Sequence, residues 1–487
     1  MSDAATVVWF RSDLRLADNV ALTAAIRRGG PVVPVYVLDE PAAGRWAPGG
    51  ASRWWLHHSL AALAADLAAL GARLILRRGA AADALAEIAR EAGAGQVVCS
   101  RRYEPWAIRQ EAEVRGRLAA AGVELKRYPG WLLMEPESIA TKAGEPYKVY
   151  TPFWRALSST LRPEKPLARP ARIAGPPGWP RSDELEAWSL LPSRPDWAKG
   201  FATCWRPGEA SALERLESFL DERAAAYAAE RNRPDVEGTS RLSPHLAHGE
   251  ISPRLIWWRV MSERARREGG GSDSGLETFL KELVWREFSS HLLFHFPHLP
   301  EAPFREEFAR FPWREDRASL KAWQRGRTGF PIVDAGMREL WTTGWMHNRV
   351  RMVVASFLVK DLMIPWQEGE AWFWDTLVDA DLANNAASWQ WVAGSGADAA
   401  PYFRVFNPTS QGEKFDAGGG YVRRWVPEIA KLPDDLVHRP GEADPITLRS
   451  KGLVLPRDYP AAIVDHAAAR ECALAAFKSL KTVGDQE

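Results

Sequence analysis

The stretch from Gly344 to Pro408 decides how this chain is read: it opens GWMHNRVRM, passes KDLMIPW and closes DADLANNAASWQWVAGSGADAAPYFRVFNP. Taken as a helix, its first part sets Trp345, Asn348, Arg349 and Met352 at i, i+3, i+4 and i+7, so an indole, an amide, a guanidinium and a thioether share one face. An ordinary core stripe would not hold that amide and that charge, because each must find partners once buried. A polar ligand lying on the face would supply them. Arg351 turns away from the stripe, placed to pair with an acid such as Asp379 or Asp381. Any one of these residues alone is explained as well by a solvated helix edge.

Outward from this stretch the two ends of the chain read differently. Residues 6–10 (TVVWF) and 32–38 (VVPVYVL) are short runs of β-branched and aromatic residues, and residues 73–76 and 96–99 repeat the pattern. Helical stretches fall between them at 19–28, 52–70 and 81–92. Strands alternating with helices of this length predict an α/β domain with a parallel, Rossmann-like sheet over residues 1–134. No GxGxxG follows the first strand, which argues against a dinucleotide there. Residues 135–205 are rich in Pro and Ser, including RPEKPLARPARIAGPPGWPRS, and read as an interdomain connector. From 206 to 487 the periodicity is helical almost throughout, beginning with the stripe Leu213, Leu216, Phe219 and Leu220, and predicts an all-α domain.

Composition bounds the function. The 63 basic and 62 acidic residues nearly cancel, so any nucleic-acid contact must come from a local basic patch. No apolar run approaches the roughly 18 residues of a membrane span, and MSDAATVVWF lacks a basic-then-apolar signal, which predicts a cytoplasmic protein with no membrane partner. Three scattered cysteines, Cys99, Cys204 and Cys472, fit a reducing compartment and cannot supply a four-cysteine iron–sulfur site; no metal is expected. The 24 tryptophans are the outlier, and point weakly to stacking surfaces or electron carriers.

WMHNRVRM, DADLANN, SWQWVAGSGADAAPYFRVFNP and QGEKFD, in that order, resemble the flavin-binding core of the DNA photolyase and cryptochrome family, and WFRSDLRLADN resembles the opening of photolyases. The resemblance covers nearly the whole chain. It implies that the helical domain binds FAD and that the α/β domain carries a light-gathering antenna pigment. YEPWAIRQE has Trp106 and Ala107 where the folate-binding bacterial type has an Asn-Glu pair, so that folate contact is missing. GGASRWWLHHSL and VDADLANNAASWQWVAG look more like class III photolyases, which bind 5,10-methenyltetrahydrofolate in a differently built pocket. That folate is the expected antenna.

Other segments acquire roles through the same resemblance. TSRLS is, by itself, an N-cap more often than a phosphate site; the family segment it matches binds the flavin phosphates, which carries Thr239, Ser240, Arg241, Leu242 and Ser243 over with Tyr227 nearby. FLKELVWREF sets Glu282, Trp285 and Arg286 on one helical face, which could be an exposed Glu–Arg pair beside a core indole. In the family the matching Glu bonds the carbonyls of damaged pyrimidines and the matching Trp stacks on them. Trp391 resembles the second stacking indole. Asn348 and Arg349 match the flavin and substrate edge, with Trp345 and Arg351 on the cofactor side. Met352 matches a residue touching the dimer, and relatives that repair the (6-4) photoproduct carry histidines at the places of Asn348 and Met352. Asp379 and Asp381 match acids beside the flavin ring and ribose. Asn385 matches the residue facing N5, where an amide favours the reduced flavin used for repair and cannot donate a titratable proton.

Trp389, Trp366 and Trp313 match the family's electron relay from the flavin to the surface; singly, each is more easily a core residue. Arg231, Arg233, Arg349 and the RGR at 325–327 are candidates for DNA phosphates, although a solvated surface explains each of them too. The implied activity is light-dependent repair of cyclobutane pyrimidine dimers, with an electron passing from excited reduced FAD to a flipped-out dimer, in a monomer. Photolyases are themselves among the known base-flipping enzymes, so this energetics comes with the resemblance: a lesion that pairs and stacks poorly is cheaper to extrude. The rival is a blue-light-sensing cryptochrome without repair, which shares fold, flavin and relay. Against it stand Glu282, Trp285, Met352, Trp391, Asn385 and the lack of a long signalling tail.

Overall fold

The computed structural model describes residues 4–267, 274–399 and 403–484; Ala400, Pro401 and Tyr402 of the ADAAPYFRVFNP motif lie outside them. The chain forms two compact units, Met1–Ala225 with Ser240–Pro297 and Val378–Ala383, and Ala226–Thr239 with His298–Leu377 and Asn384–Glu487.

In the first unit, strands β1 (Ala5–Phe10), β2 (Val32–Leu38), β3 (Ile75–Arg78), β4 (Ala94–Ser100) and β5 (Glu124–Tyr128) form one sheet in the order β3-β2-β1-β4-β5. Every pairing is parallel. Helices α1 (Val20–Arg28), α2 (Gly50–Ala69), α3 (Ala81–Glu91) and α4 (Pro105–Ala119) make the crossovers. All six residues of β1 are buried, as a strand covered on both faces requires. One face packs Val8, Phe10 and Leu38 against Leu22, Leu56 and Leu60, and the other packs Val7, Trp9 and Val35 against Leu85, Ile88 and Val114. Each such side chain contributes about 1.5–3 kcal/mol by leaving water.

The expected α/β sheet is therefore present, with two differences. The third strand begins two residues later than the periodicity predicts and ends on Arg77 and Arg78, whose charged ends reach Glu91 and Glu40 at the rim. The fifth strand, ELKRY, has no counterpart in the sequence reading: it is an edge strand whose Leu125 and Tyr128 are only part-buried against the core, and its remaining side chains are charged and exposed, so it shows no apolar run.

The Pro-rich segment is more ordered than its composition suggests. It contains α5 (Tyr150–Thr160), and its irregular part is tied to the sheet layer by Asp18 N–H to Leu167, Val32 N–H to Ala174, Ile173 N–H to Leu70 and Asp183 N–H to Leu76. Helices α6 (Glu209–Glu222), α7 (Pro253–Arg267) and α8 (Ser274–His295) complete this unit. The predicted stripe on α6 buries Leu216, Phe219 and Leu220, with Leu213 half-buried.

The second unit is helical. It holds α9 (Arg317–Gln324), α10 (Pro331–Thr343), α11 (Asn348–Ser356), α12 (Trp366–Thr376), most of α13 (Leu382–Ala393), α14 (Pro408–Phe415), α15 (Gly420–Trp425) and α16 (His466–Gly484). Gly344, with φ +69°, ends α10 in the left-handed region that glycine tolerates best. At Phe357–Asp361 the chain widens into a π-helical turn after α11. Among the described residues no helix is long and apolar enough to cross a membrane, and the three cysteines are free.

Candidate functional site

In the first unit the site-bearing element is α8. Glu282 and Trp285 lie on its half-exposed face. The Glu–Arg pair open to the sequence reading does not describe Arg286: this guanidinium is buried at 8 % exposure, donates to the Trp131 carbonyl at 2.9 Å and lies 4.4 Å over the Trp131 ring. A buried charge takes the available carbonyl, carboxylate and π face in preference to an exposed partner one turn away. Its neighbour Glu287 accepts the N–H groups of Leu133 (2.7 Å) and Met134 (3.4 Å), and burial lifts its carboxyl to about 7 despite Arg286. His291 accepts the Tyr147 N–H at 3.0 Å; burial and the nearby His295 push its pKa down to about 3, so it stays neutral. Tyr150 stacks on Trp285 with ring centroids 3.6 Å apart and planes 5° from parallel.

The same unit holds most of the TSRLS segment. Arg241 adopts φ +51°, a conformation that costs a non-glycine residue about 1 kcal/mol or more and tends to mark a functional turn. Its guanidinium lies 5.8 Å over Trp205. Leu242 is buried, Ser240 is half-buried, and Ser243 is exposed at the start of the short helix Ser243–Ala247. Asp379 is buried at 8 % and Asp381 is half-buried. The preceding Val378 carbonyl accepts from His248 Nε2 at 3.2 Å, which fixes the start of this acidic segment. The negative charge of Asp381 is felt at Arg102.

In the second unit one expectation is corrected. Trp345 does not share a helix with Asn348, Arg349 and Met352: α11 begins at Asn348, and His347 caps it by accepting the Arg349 N–H at 3.2 Å. The chain leaves α10 at Gly344 and can only re-enter a helix after a cap. Trp345 is nevertheless buried at 6 % just before the cap, with the Arg351 guanidinium 5.9 Å from its ring and donating to the Met346 carbonyl at 2.8 Å. Asn348 is exposed, and Arg349 and Met352 are half-buried. Arg349 donates to Asn232 at 2.8 Å and covers Phe415 at 4.4 Å, and its Nε is buried without a hydrogen-bond partner. Burial, then the charges of Arg231 and Arg404, lower its pKa. Arg231 lies 5.8 Å over the buried Tyr227 ring, with Thr239 half-buried in the same unit.

Asn385 is buried at 9 % and donates from Nδ2 to the Glu370 carbonyl at 3.0 Å, leaving its carbonyl oxygen and its second N–H to present. Trp389 and Trp366 are almost fully buried and Trp313 is half-buried. Trp389 sits 5.0 Å from Phe373 and 6.2 Å from Trp323, and a side chain at Gly369 would strike it. The Arg314 N–H donates to Met363 at 2.8 Å, drawing the Trp313 segment beside the chain leading into Trp366. Of the basic candidates, Arg233 is engaged with Asp235 at 2.6 Å, and Arg325 and Arg327 are exposed around Gly326. Half-buried Trp391 lines a small surface pocket with Arg305, Lys360, Phe403, Arg404 and Phe477.

Sequence reasoning misses Tyr150, Glu287 and Lys360. Tyr150 lies inside the family-like GEPYKVYTPFWRAL, but its partner is far along the chain. Lys360 is buried at 4 %, donates to the Arg404 carbonyl and lies 4.4 Å over Phe403; burial lowers its pKa to about 7.

These residues fit an anionic ligand with hydrogen-bond acceptors: among the described residues, the Arg349 Nε and the Trp389 indole N–H are buried without a partner, and the charges of Arg231 and Arg404 press on Arg349. Residues 279–479 match the FAD binding domain of DNA photolyase, and residues 6–171 match the DNA photolyase domain. The chain is 51% identical over 481 residues to the deoxyribodipyrimidine photo-lyase of Agrobacterium fabrum, covering 99% of both chains. It is 39% identical to cryptochrome-1 of Arabidopsis thaliana, covering 96% of this chain and 70% of that one. Among solved structures, a bacterial class III photolyase from Agrobacterium tumefaciens superposes with a TM-score of 0.95 at 51% identity, covering 99% of this chain and 98% of that one. A parallel sheet layer, a helical unit with an FAD-binding domain, and similarity along the whole length together place the chain in the DNA photolyase family.

Proposed function

We propose that this protein is a deoxyribodipyrimidine photo-lyase, repairing cyclobutane pyrimidine dimers in DNA under blue light. The observation that carries the reading is the face of α8: Trp285 is half-exposed and rigidly backed, with Glu282 one turn away, while Arg286 is turned into the interior. A purely structural helix has no use for a part-exposed indole held this firmly. FAD, when bound and reduced, supplies the photoexcited electron that splits the two bonds joining the bases. Tyr227, Thr239, Ser240, Arg241, Leu242 and Ser243 would hold its phosphates and their surroundings, and Trp345, Arg351, Asp379, Asp381 and Asn385 its ring and ribose.

The chain's own residues supply orientation, dryness and charge placement. Trp285 and Trp391 would stack on an extruded dimer, and Met352 would close its edge. Glu282 would hydrogen-bond the pyrimidine carbonyls or donate its proton to them where negative charge develops. Asn348 and Arg349 would bind at the boundary of cofactor and lesion, and the Arg231, Arg349 and Arg404 group would neutralise phosphates without reading sequence. Trp389, Trp366 and Trp313 would carry electrons inward to restore the reduced cofactor. Trp366→Phe should block photoreduction while leaving repair by chemically prereduced protein intact, and loss of that repair would refute a pure relay role.

A 5,10-methenyltetrahydrofolate antenna is proposed for the first unit, supported by the class III character of the GGASRWWLHHSL segment. At the C-terminal edge of β1 and β4 the usual nucleotide crevice is filled by the chain itself: Asp13 accepts from Arg11 N–H (2.7 Å) and Ser100 Oγ (2.6 Å), and Arg11 pairs with Glu111 at 2.8 Å. The functional division proposed is an antenna domain over 1–134, a connector over 135–205 and a catalytic domain over 206–487, in a cytoplasmic monomer.

The deciding experiment mixes protein carrying chemically reduced flavin with an oligonucleotide containing one thymine dimer, and follows the return of base absorbance in blue light and in the dark. Recovery in the light alone is expected. Its absence with flavin bound and reduced would favour a light sensor or a (6-4) substrate, to be tried next.

A further inference from the structure

The Tyr150–Trp285 stack is too close and too parallel to be incidental. Aromatic pairs left to themselves prefer offset or edge-on arrangements with centroids about 4.5–7 Å apart, because facing quadrupoles repel. Here the centroids are 3.6 Å apart and the planes differ by 5°. Other contacts must impose the geometry, and they are visible. The Tyr150 hydroxyl donates to the Lys281 carbonyl at 2.7 Å, one turn before Trp285 on the same helix, so the phenol is clamped lengthwise along α8. Phe288 sets its ring against both partners, 5.9 Å from Tyr150 at 74° and 5.9 Å from Trp285 at 75°. Phe153 packs 5.2 Å from Phe288 and 5.1 Å from His291, joining α5 to α8 behind the pair.

Burial tells which side is which. Tyr150 is 8 % exposed, whereas Trp285 is half-buried. The phenol is therefore the inner ring of the pair, and the indole is the ring that keeps some exposure. Two parallel rings about one base-layer apart, the inner one buried and the outer one part-exposed, make a short stack to which a further layer can add.

We propose that Tyr150 is the second layer of the stacking wall for a pyrimidine, a positioning residue that acts through Trp285; this rests on the assignment of Trp285 to the lesion. By filling the inner face, Tyr150 fixes the indole in one orientation before the base arrives, so less conformational freedom is lost on binding. It also stops the indole from tilting inward to cover itself, which an unbacked tryptophan beside Phe288 would be free to do. Base stacking on aromatic residues is sequence-tolerant, so the effect falls on affinity for an extruded pyrimidine whatever the flanking bases.

The experiment is a double-mutant cycle in the flavin-loaded protein, reading the dissociation constant for a dimer-containing oligonucleotide in the dark. Trp285→Ala tests the assignment itself and should weaken binding about tenfold or more. Tyr150→Leu, which keeps an apolar side chain of similar bulk but no flat face, should weaken binding roughly three- to tenfold. Tyr150→Phe should restore most of the loss, since the stack remains and only the hydroxyl clamp goes. In the Trp285→Ala background Tyr150→Leu should have no further effect, and in the wild-type background the loss should fall on affinity more than on repair per photon at saturating oligonucleotide. An unaffected Trp285→Ala protein overturns the assignment of Trp285. A normal Trp285 effect with Tyr150→Leu either silent, or equally costly in both backgrounds, overturns the role of Tyr150 alone.

Discussion

Two helices, one in each unit, carry the candidate binding residues in opposite ways. α8 is 22 residues long, and the ends of Trp285, Arg286, Glu287 and His291 all meet partners within the first unit. α11 is nine residues long and starts on a single side-chain cap, with Asn348 exposed and Arg349 pressed by Arg231 and Arg404. The difference follows from what each would bind. A flat, weakly polar base is best met by a stiff wall made in advance, whereas an anion is best met by cations whose repulsion it relieves on arrival. The first helix uses its neighbours for rigidity and the second is left electrostatically incomplete.

The sharpest way to break this contrast is to alter the open face of α8 alone. Glu282→Ala should lower repair per absorbed photon about a hundredfold, the usual order for removing one donor from developing charge, with flavin content unchanged. Unchanged repair would remove Glu282 from the mechanism and leave α8 as scaffold.

A second test compares the buried titrating groups, which respond to pH with opposite sign. Glu287 is raised to about 7 by burial, so between its ordinary value near 4.5 and about 7 the folded protein holds a proton that the unfolded chain has released. Stability therefore falls as pH rises through that window, by up to ~1.4 kcal/mol per unit. Lys360 is lowered to about 7 from 10.5 by burial, so between those values the unfolded chain holds the proton and stability rises with pH. Glu287→Gln should flatten the acid limb of a melting-temperature profile, and Lys360→Met the alkaline limb. Neither limb moving would show that water reaches both groups.

Arg349→Gln is the matching test of the cationic pole. It should weaken DNA binding about tenfold and reduce the slope of log affinity against log salt by about one, without changing sequence preference. An unchanged slope would mean that Arg349 meets the cofactor and not a phosphate.

Much of this is legible in the sequence because local pattern and tertiary role coincide. The inner strands of the sheet are buried on both faces, so their apolar runs stand out; β5 does not, because three of its five side chains are charged and exposed at the edge. On α8, Glu282 and Trp285 are visible as a helical pair, yet the direction of Arg286 is not, since it depends on Trp131, 155 positions away. Tyr150 stands in plain view inside GEPYKVYTPFW, but a stacking partner so much later in the chain leaves no trace in spacing. Trp345 keeps the 3.6-residue period of the following helix without belonging to it; the cap formed by His347 interrupts the backbone without disturbing that period.

That cap gives the smallest expected effect and the closest look at α11. The His347 side chain accepts the Arg349 N–H, one of the backbone donors that a helix start leaves without an intrahelical partner. Removing such an acceptor costs about 1 kcal/mol, whereas asparagine is among the best natural caps. His347→Ala should therefore lower stability by about 1 kcal/mol more than His347→Asn, and the two variants share the loss of the buried ring, so packing cancels in the difference. If the cap is what sets the start of α11, the alanine variant should also release FAD more readily, because Asn348 and Arg349 are the residues it orders. Equal stability of the two would mean that α11 is placed by Val350, Val353 and Val354 in the core, and its polar face would then be as firmly supported as that of α8.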